Sequence, residues 1–238
     1  MIVFETIFDL FYLTGVIAIG IYLVVKTQPG SIGKLFGWSA ILLGGGDAFH
    51  LLPRVYAINS GGLEAHAAAL GAGKFITSIT MTFFYILVYW IWRKKYQTKP
   101  SKGLDLTIYG LAALRFLIEL CPENMWLSFM QPVSWGIARN IPFAIMGIIM
   151  IVLFFRAIRE SKTDPFRWMW LAILLSFGFY TPVVLWSNTV PWVGALMMPK
   201  TMAYVWVVLM GLKDYNDSRN FFNPDSVAGY SSSQTAIR

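Results

Sequence analysis

Long apolar stretches separated by short polar ones dominate the chain. Seven of them have helical length, at about 4 to 25, 35 to 52, 71 to 92, 104 to 121, 137 to 158, 167 to 187 and 191 to 212, and each is near the ~20 residues that cross a bilayer as a helix. No internal repeat is evident. The pattern predicts an all-α fold, a polytopic membrane bundle of seven transmembrane helices spanning residues 1–213. Beyond it the composition turns polar, and 214–238 reads as a disordered cytoplasmic tail.

Charge gives the bundle a direction. Of 19 Lys and Arg residues, fourteen fall in the first, third and fifth connections and the tail, among them Lys26, Lys34, the Arg93–Lys102 run, Arg156, Arg159, Lys162, Arg167, Lys213, Arg219 and Arg238. By the positive-inside rule these segments are cytoplasmic, so the N-terminus lies outside and the C-terminus inside. The same clustering explains the net charge of +7 without nucleic acid as a partner. Composition agrees, since 57% hydrophobic and 13% charged residues are too apolar a balance for an ordinary soluble domain. The single cysteine, Cys121, allows no internal disulfide. Glu5 and Asp9, with no basic residue before the first apolar run, argue against a cleaved signal peptide. An integral protein of a bacterial plasma membrane is expected, in contact with membrane lipids.

Candidate chemistry concentrates in the outer half. Asp47, His50 and Arg54 follow Gly44-Gly45-Gly46 at helical spacings of three and four, so they project from one face. Ionisable groups at membrane depth are costly and usually face a bundle interior or a wet cavity. Asp9, with Tyr12 three residues later, reads as an interfacial acid or as a neighbour of Asp47. His66 lies in a long external loop, 53–71, beside Glu64. Lys74 and the threonines after it read as snorkelling and packing residues. Arg115 and Glu119 are a ready i, i+4 ion pair, Arg139 and Asn140 open the fifth helix, and Tyr180 precedes a kink at Pro182. Lys200 falls ~12 to 14 Å below the outer end of the seventh segment at 1.5 Å per residue.

Such a pocket suits a small amphiphilic ligand with an anionic group: Arg54, His66, Arg115, Arg139, Asn140, Tyr180 and Lys200 bind it, and Asp47, His50 and Glu119 exchange protons. No cofactor is required. Zinc on Asp47 and His50 with His66, Glu64 or Glu119 is the metal alternative, weakened because the chain has only two histidines.

The run WSAILLGGGDAFHLLPR, followed by NSGGLEAHAAALGAGKFI, resembles the second and third helices of the YhhN-type lysoplasmalogenase family, and MMPKTMAYVWVV is similar to its last helix. The resemblance implies hydrolysis of the vinyl-ether bond of a lysoplasmalogen, with Asp47 as the acid-base residue. Where that family's pattern has a second acid, near the end of the sixth helix, this chain has Gly178, Phe179 and Tyr180, and Glu119 is the substitute it offers. Tyr180, Pro182, Trp186 and Lys200 also resemble the last helices of microbial rhodopsins, which implies retinal on Lys200 with Asp47 as counter-ion. The expected activity is therefore a membrane lipid hydrolase acting on a lysolipid. A seven-helix sensor or receptor, a carrier and a retinal protein are the alternatives.

The orientation is checked by labelling. A cysteine placed between Lys94 and Lys102 reacts with an impermeant thiol reagent only from the cytoplasmic side, and reaction from outside would invert the whole assignment.

Overall fold

A computed structural model describes residues 2–99, 101–158, 163–187 and 189–221. Among the described residues seven α-helices make up the bundle: α1 (Ile2–Lys26), α2 (Ile32–Asn59), α3 (Ala67–Lys95), α4 (Lys102–Glu119), α5 (Val133–Ala157), α6 (Met169–Trp186) and α7 (Met197–Phe221). Among the described residues there is no strand. Six of the helices are long and apolar enough to cross a membrane, and the chain is an integral membrane protein. The exception is α4, which carries Lys102, Asp105, Arg115 and Glu119 within 18 residues.

Consecutive helices pack side by side, and α7 closes the ring by lying against α1 and α2 while α3 also touches α5. Close approach rests on glycine. Cβ atoms built on Gly20 of α1 and Gly37 of α2 would come within 3.0 and 2.9 Å of each other's carbonyl oxygens, so these two backbones cross without side chains between them. Between α2 and α3, a Cβ on Gly73 would overlap the Phe49 carbonyl. That carbonyl is the one Pro53 leaves without its intrahelical donor.

Helix ends depart from the sequence expectation in two places. Pro53 does not stop α2, which continues to Asn59, because a proline removes one hydrogen bond and neighbouring helices sustain the rest. The loop between α2 and α3, expected over 53–71, shrinks to 60–66. The seventh segment opens instead as a 3₁₀ turn, Pro191–Leu196, so Lys200 sits in the first turn of α7, where Pro199 needs no intrahelical donor. At the other end α7 stays helical through Phe221, past the point where a disordered tail is expected to begin. Residues 222–238, including Arg238, and the basic residues Arg159 and Lys162 lie outside the described residues.

The basic end is held by polar contacts. Lys95 Nζ lies 2.5 Å from Asp214 Oδ1, joining α3 to α7, and Asp105 accepts from Arg93 at 2.7 Å and from the Tyr89 hydroxyl at 2.6 Å. Asp164 takes the Tyr96 hydroxyl at 2.8 Å and the Phe166 amide at 2.8 Å. The Phe166 ring then stacks on Phe36, with centroids 5.4 Å apart. Burial and the Asp164 carboxylate push the Tyr96 phenol well above its ordinary range.

Glycine packing gives a direct test. Gly73→Ala should lower stability by about 1–3 kcal/mol, because the Phe49 backbone cannot move aside. Gly45→Ala, with nothing within 4 Å of the added carbon, should be neutral or stabilising by up to ~1 kcal/mol. Thermal denaturation in one detergent compares the two.

Candidate functional site

Asp47 lies on the buried face of α2, 8% exposed, and its Oδ2 accepts the Tyr12 hydroxyl at 2.7 Å. Tyr12 and Asp9 are three residues apart on α1, so the tyrosine that holds Asp47 brings Asp9 alongside. Asp9 is 6% exposed and makes no hydrogen bond or ion pair among the described residues. Lys200 is 8% exposed, and its ammonium stands 4.9 Å over the Tyr180 ring and 5.3 Å over Tyr204. Its charge reaches Asp47, yet no ion pair forms within 4 Å. Asp47 thus has one hydrogen bond and a nearby, uncontacted cation.

One turn further along α2, His50 makes no hydrogen bond among the described residues, and its Nδ1 is buried. His50 lines a cavity of about 70 Å³ together with Arg54, Leu70, Lys74, Ser128 and Gln131. Arg54 Nε donates to Glu5 at 2.6 Å, which fixes the guanidinium at the rim through one nitrogen. Lys74 makes no hydrogen bond or ion pair among the described residues and stands exposed. The cavity is therefore small, cationic at its edge, and backed by a histidine without a partner.

A second polar cluster sits between α3, α4 and α5. Arg115 Nε donates to Glu119 Oε1 at 2.7 Å, and the pair is 2% and 0% exposed. Ser78 donates to the same carboxylate oxygen and accepts from Arg115 at 2.9 Å. The Phe143 ring closes the other side of the guanidinium, 3.7 Å from Cζ. Arg139 donates to Asn124 Oδ1 at 2.9 Å and lies 4.2 Å over Trp126. Asn124 in turn donates to the carbonyls of Ile118 and Cys121, at 2.6 and 2.9 Å, and the Trp126 indole donates to Glu119 O at 2.9 Å. Residues 122–126 thus supply the orphan carbonyls at the end of α4 with donors.

The site residues named from sequence divide accordingly. Asp47, His50, Arg54, Tyr180 and Lys200 share one end of the bundle with Asp9, Tyr12 and Lys74. Glu119 and Arg115 are tied to each other, and Arg139 faces Asn124. Asn140 Nδ2 bonds back to Gly136 O at 2.8 Å, while its Oδ1 is buried without a donor. His66 turns away: its Nε2 lies 2.6 Å from Ser60 O and its ring packs on Tyr56, so it folds its own loop and does not line the cavity. Accordingly, the zinc donors considered from sequence are not brought together among the described residues. The threonines of α3 behave as packing residues, Thr77 donating to Gly46 O at 2.9 Å and Thr82 to Ser78 O at 3.0 Å. Sequence underweighted Lys74, Ser78 and Asn124. Of these only Lys74 carries a signal, the spacing that sets it one turn past Gly71.

Compared with protein-family models, curated proteins and solved structures, the chain has no match.

The second cluster is expected to be structural. Arg115→Met leaves Glu119 buried without its cation and should cost ~3–5 kcal/mol. Replacing both, as Arg115→Met with Glu119→Leu, should restore most of that stability, measured as the thermal midpoint of the purified protein.

Proposed function

We propose that the protein crosses the membrane seven times, N-terminus outside and C-terminus cytoplasmic, and acts on an anionic amphiphile, a lysolipid, at the outer end of the bundle. The seventh crossing is α4. Its interior charges, Arg115 and Glu119, neutralise each other, so a count of charged residues understates its fitness for lipid. The observation that carries the functional reading is His50: a buried imidazole nitrogen without a partner, in a cavity edged by Arg54 and Lys74.

Lys74 and the unused nitrogens of Arg54 bind the phosphate. Asp47, held by Tyr12, exchanges a proton with the substrate, and His50 on the same helical face passes it between the site and the cavity. The resemblance to YhhN-type lysoplasmalogenases supports vinyl-ether cleavage, in which an acid protonates the alkene carbon, water adds to the resulting oxocarbenium ion while a second carboxyl group takes its proton, and the hemiacetal breaks its C–O bond to release an aldehyde and the glycerol hydroxyl. That chemistry needs a second acid. Asp9 supplies it better than Glu119, because Asp9 is buried beside Asp47 with no partner and Glu119 is committed to Arg115 and Ser78.

A sensor is the second reading, favoured by α7, which carries Lys200 among the outer polar groups and Asp214 in the Lys95 pair at the opposite end. A ligand that displaced Lys200 would act on a helix clasped at its far end.

Asp47→Asn decides between the two. The Tyr12 hydroxyl can donate to the amide oxygen, so the thermal midpoint should stay near wild type while turnover of a lysoplasmalogen falls ~10²- to 10⁴-fold. An absence of turnover in the wild type, together with a sharp loss of stability in the variant, would remove the enzyme and leave a binding bundle.

A further inference from the structure

A groove lies at the basic end of the bundle, away from Asp47. Ile151, Val152, Phe155 and Arg156 line one wall of a groove of about 440 Å³, and Trp170 at the start of α6 lines the other. The spacing of the α5 residues, one and four apart, puts them on a single face. Four of the five lining groups are hydrocarbon or aromatic, and Phe155 meets Trp170 edge to face with centroids 5.3 Å apart. Trp170 Nε1 is buried with no acceptor, so packing alone, without a hydrogen bond, sets the position of that ring. A gap of this kind is poor in partners for water, and its walls lose dispersion contacts unless something apolar fills it.

Arg156 decides what fills it. It is exposed at the last turn of α5 and makes no hydrogen bond or ion pair with another described residue. Among the described residues no acid lines the groove. A guanidinium at the mouth of an apolar groove presents two N–H groups to a phosphate while the hydrocarbon walls take an alkyl chain. Arg93, Lys94, Lys95 and Arg167 lie at the same end of the bundle, and basic segments beside membrane spans attract anionic lipid.

We propose that this α5/α6 groove is a binding site for an anionic phospholipid of the leaflet at the basic end, one acyl chain lying along Ile151, Val152 and Phe155 against Trp170, and the phosphate on Arg156. The site is independent of the lysolipid reading, since none of its residues belongs to the Asp47 end.

Native mass spectrometry of the detergent-purified full chain tests it, with phosphatidylglycerol and phosphatidylcholine of identical acyl chains added in equal amounts. The wild type should retain phosphatidylglycerol roughly tenfold over phosphatidylcholine, because the choline ammonium of the latter offsets the phosphate charge that Arg156 would meet and lies unfavourably beside the guanidinium. Arg156→Gln, an exposed substitution that leaves the fold intact, should bring the ratio close to one. Ile151→Trp fills the groove and should reduce retention of both lipids, with the thermal midpoint reporting that the variant is folded. Equal retention of the two lipids by the wild type would overturn the proposal. So would an unchanged ratio in Arg156→Gln, or a second copy of the chain in place of lipid that Ile151→Trp displaces.

Discussion

Charge inside hydrocarbon has to be matched within the bundle, and the two ends of this protein meet that requirement differently. At the basic end the buried or half-buried acids Asp105, Asp164 and Asp214 each have donors in contact. At the other end matching is complete only in part. Glu119 and Arg115 neutralise each other, although Glu119 Oε2 and Arg115 Nη1 are buried without a partner among the described residues, and Arg54 takes Glu5. Among the described residues Asp9 has no hydrogen bond or ion pair, Asp47 has a phenol, His50 has none, and Lys200 has only aromatic faces. The cations Arg54, Lys74, Arg115, Arg139 and Lys200 share that end with the acids Glu5, Asp9, Asp47, Glu64, Glu119 and Glu123, and among the described residues Lys74 and Lys200 make an ion pair with none of them.

Backbone packing makes this arrangement possible. Gly20 and Gly37 bring α1 against α2, the same pair of helices across which the Tyr12 hydroxyl reaches Asp47. The helix prolines Pro53, Pro142 and Pro182 all fall toward the end that carries Asp47. Each leaves a carbonyl without its donor. Such backbone is tolerated at membrane depth only where protein or a wet cavity surrounds it, so the polar groups and the loosened helices belong to one region.

The fold was largely legible because lipid imposes a single length and a single polarity on every span. Helices α1, α3 and α5 lie within a few residues of the segments drawn from hydropathy alone. The errors have local causes: Pro53 looks like a stop in sequence but is absorbed by a packed helix, and Pro191 begins a 3₁₀ turn that hydropathy cannot tell from α-helix. The site was legible as a set and not as pairs. Spacing places Asp47, His50 and Arg54 on one face and ties Arg115 to Glu119. It cannot show that Arg54 meets Glu5 across 49 positions, or that Asn124 feeds Arg139, since these partners come from helices whose rotation is fixed only by packing. His66 shows the converse, a histidine that composition flags and a seven-residue loop consumes.

Partner geometry also separates the two acids that sequence treats alike. Glu119 Oε1 receives Arg115 and Ser78 together, and the guanidinium is sandwiched by Phe143. Removing either partner would strand a buried charge at a cost of ~3–5 kcal/mol, so Glu119 is fixed in a contact ion pair. Asp47 is under no such constraint. Tyr12 can donate to it in either protonation state, and Lys200 exerts its charge from beyond contact, so the carboxyl can gain or lose a proton without breaking an ion pair. A residue that cycles between two charge states is better held by a hydrogen bond than by a contact ion pair, and among the described residues Asp47 is held the first way and Glu119 the second.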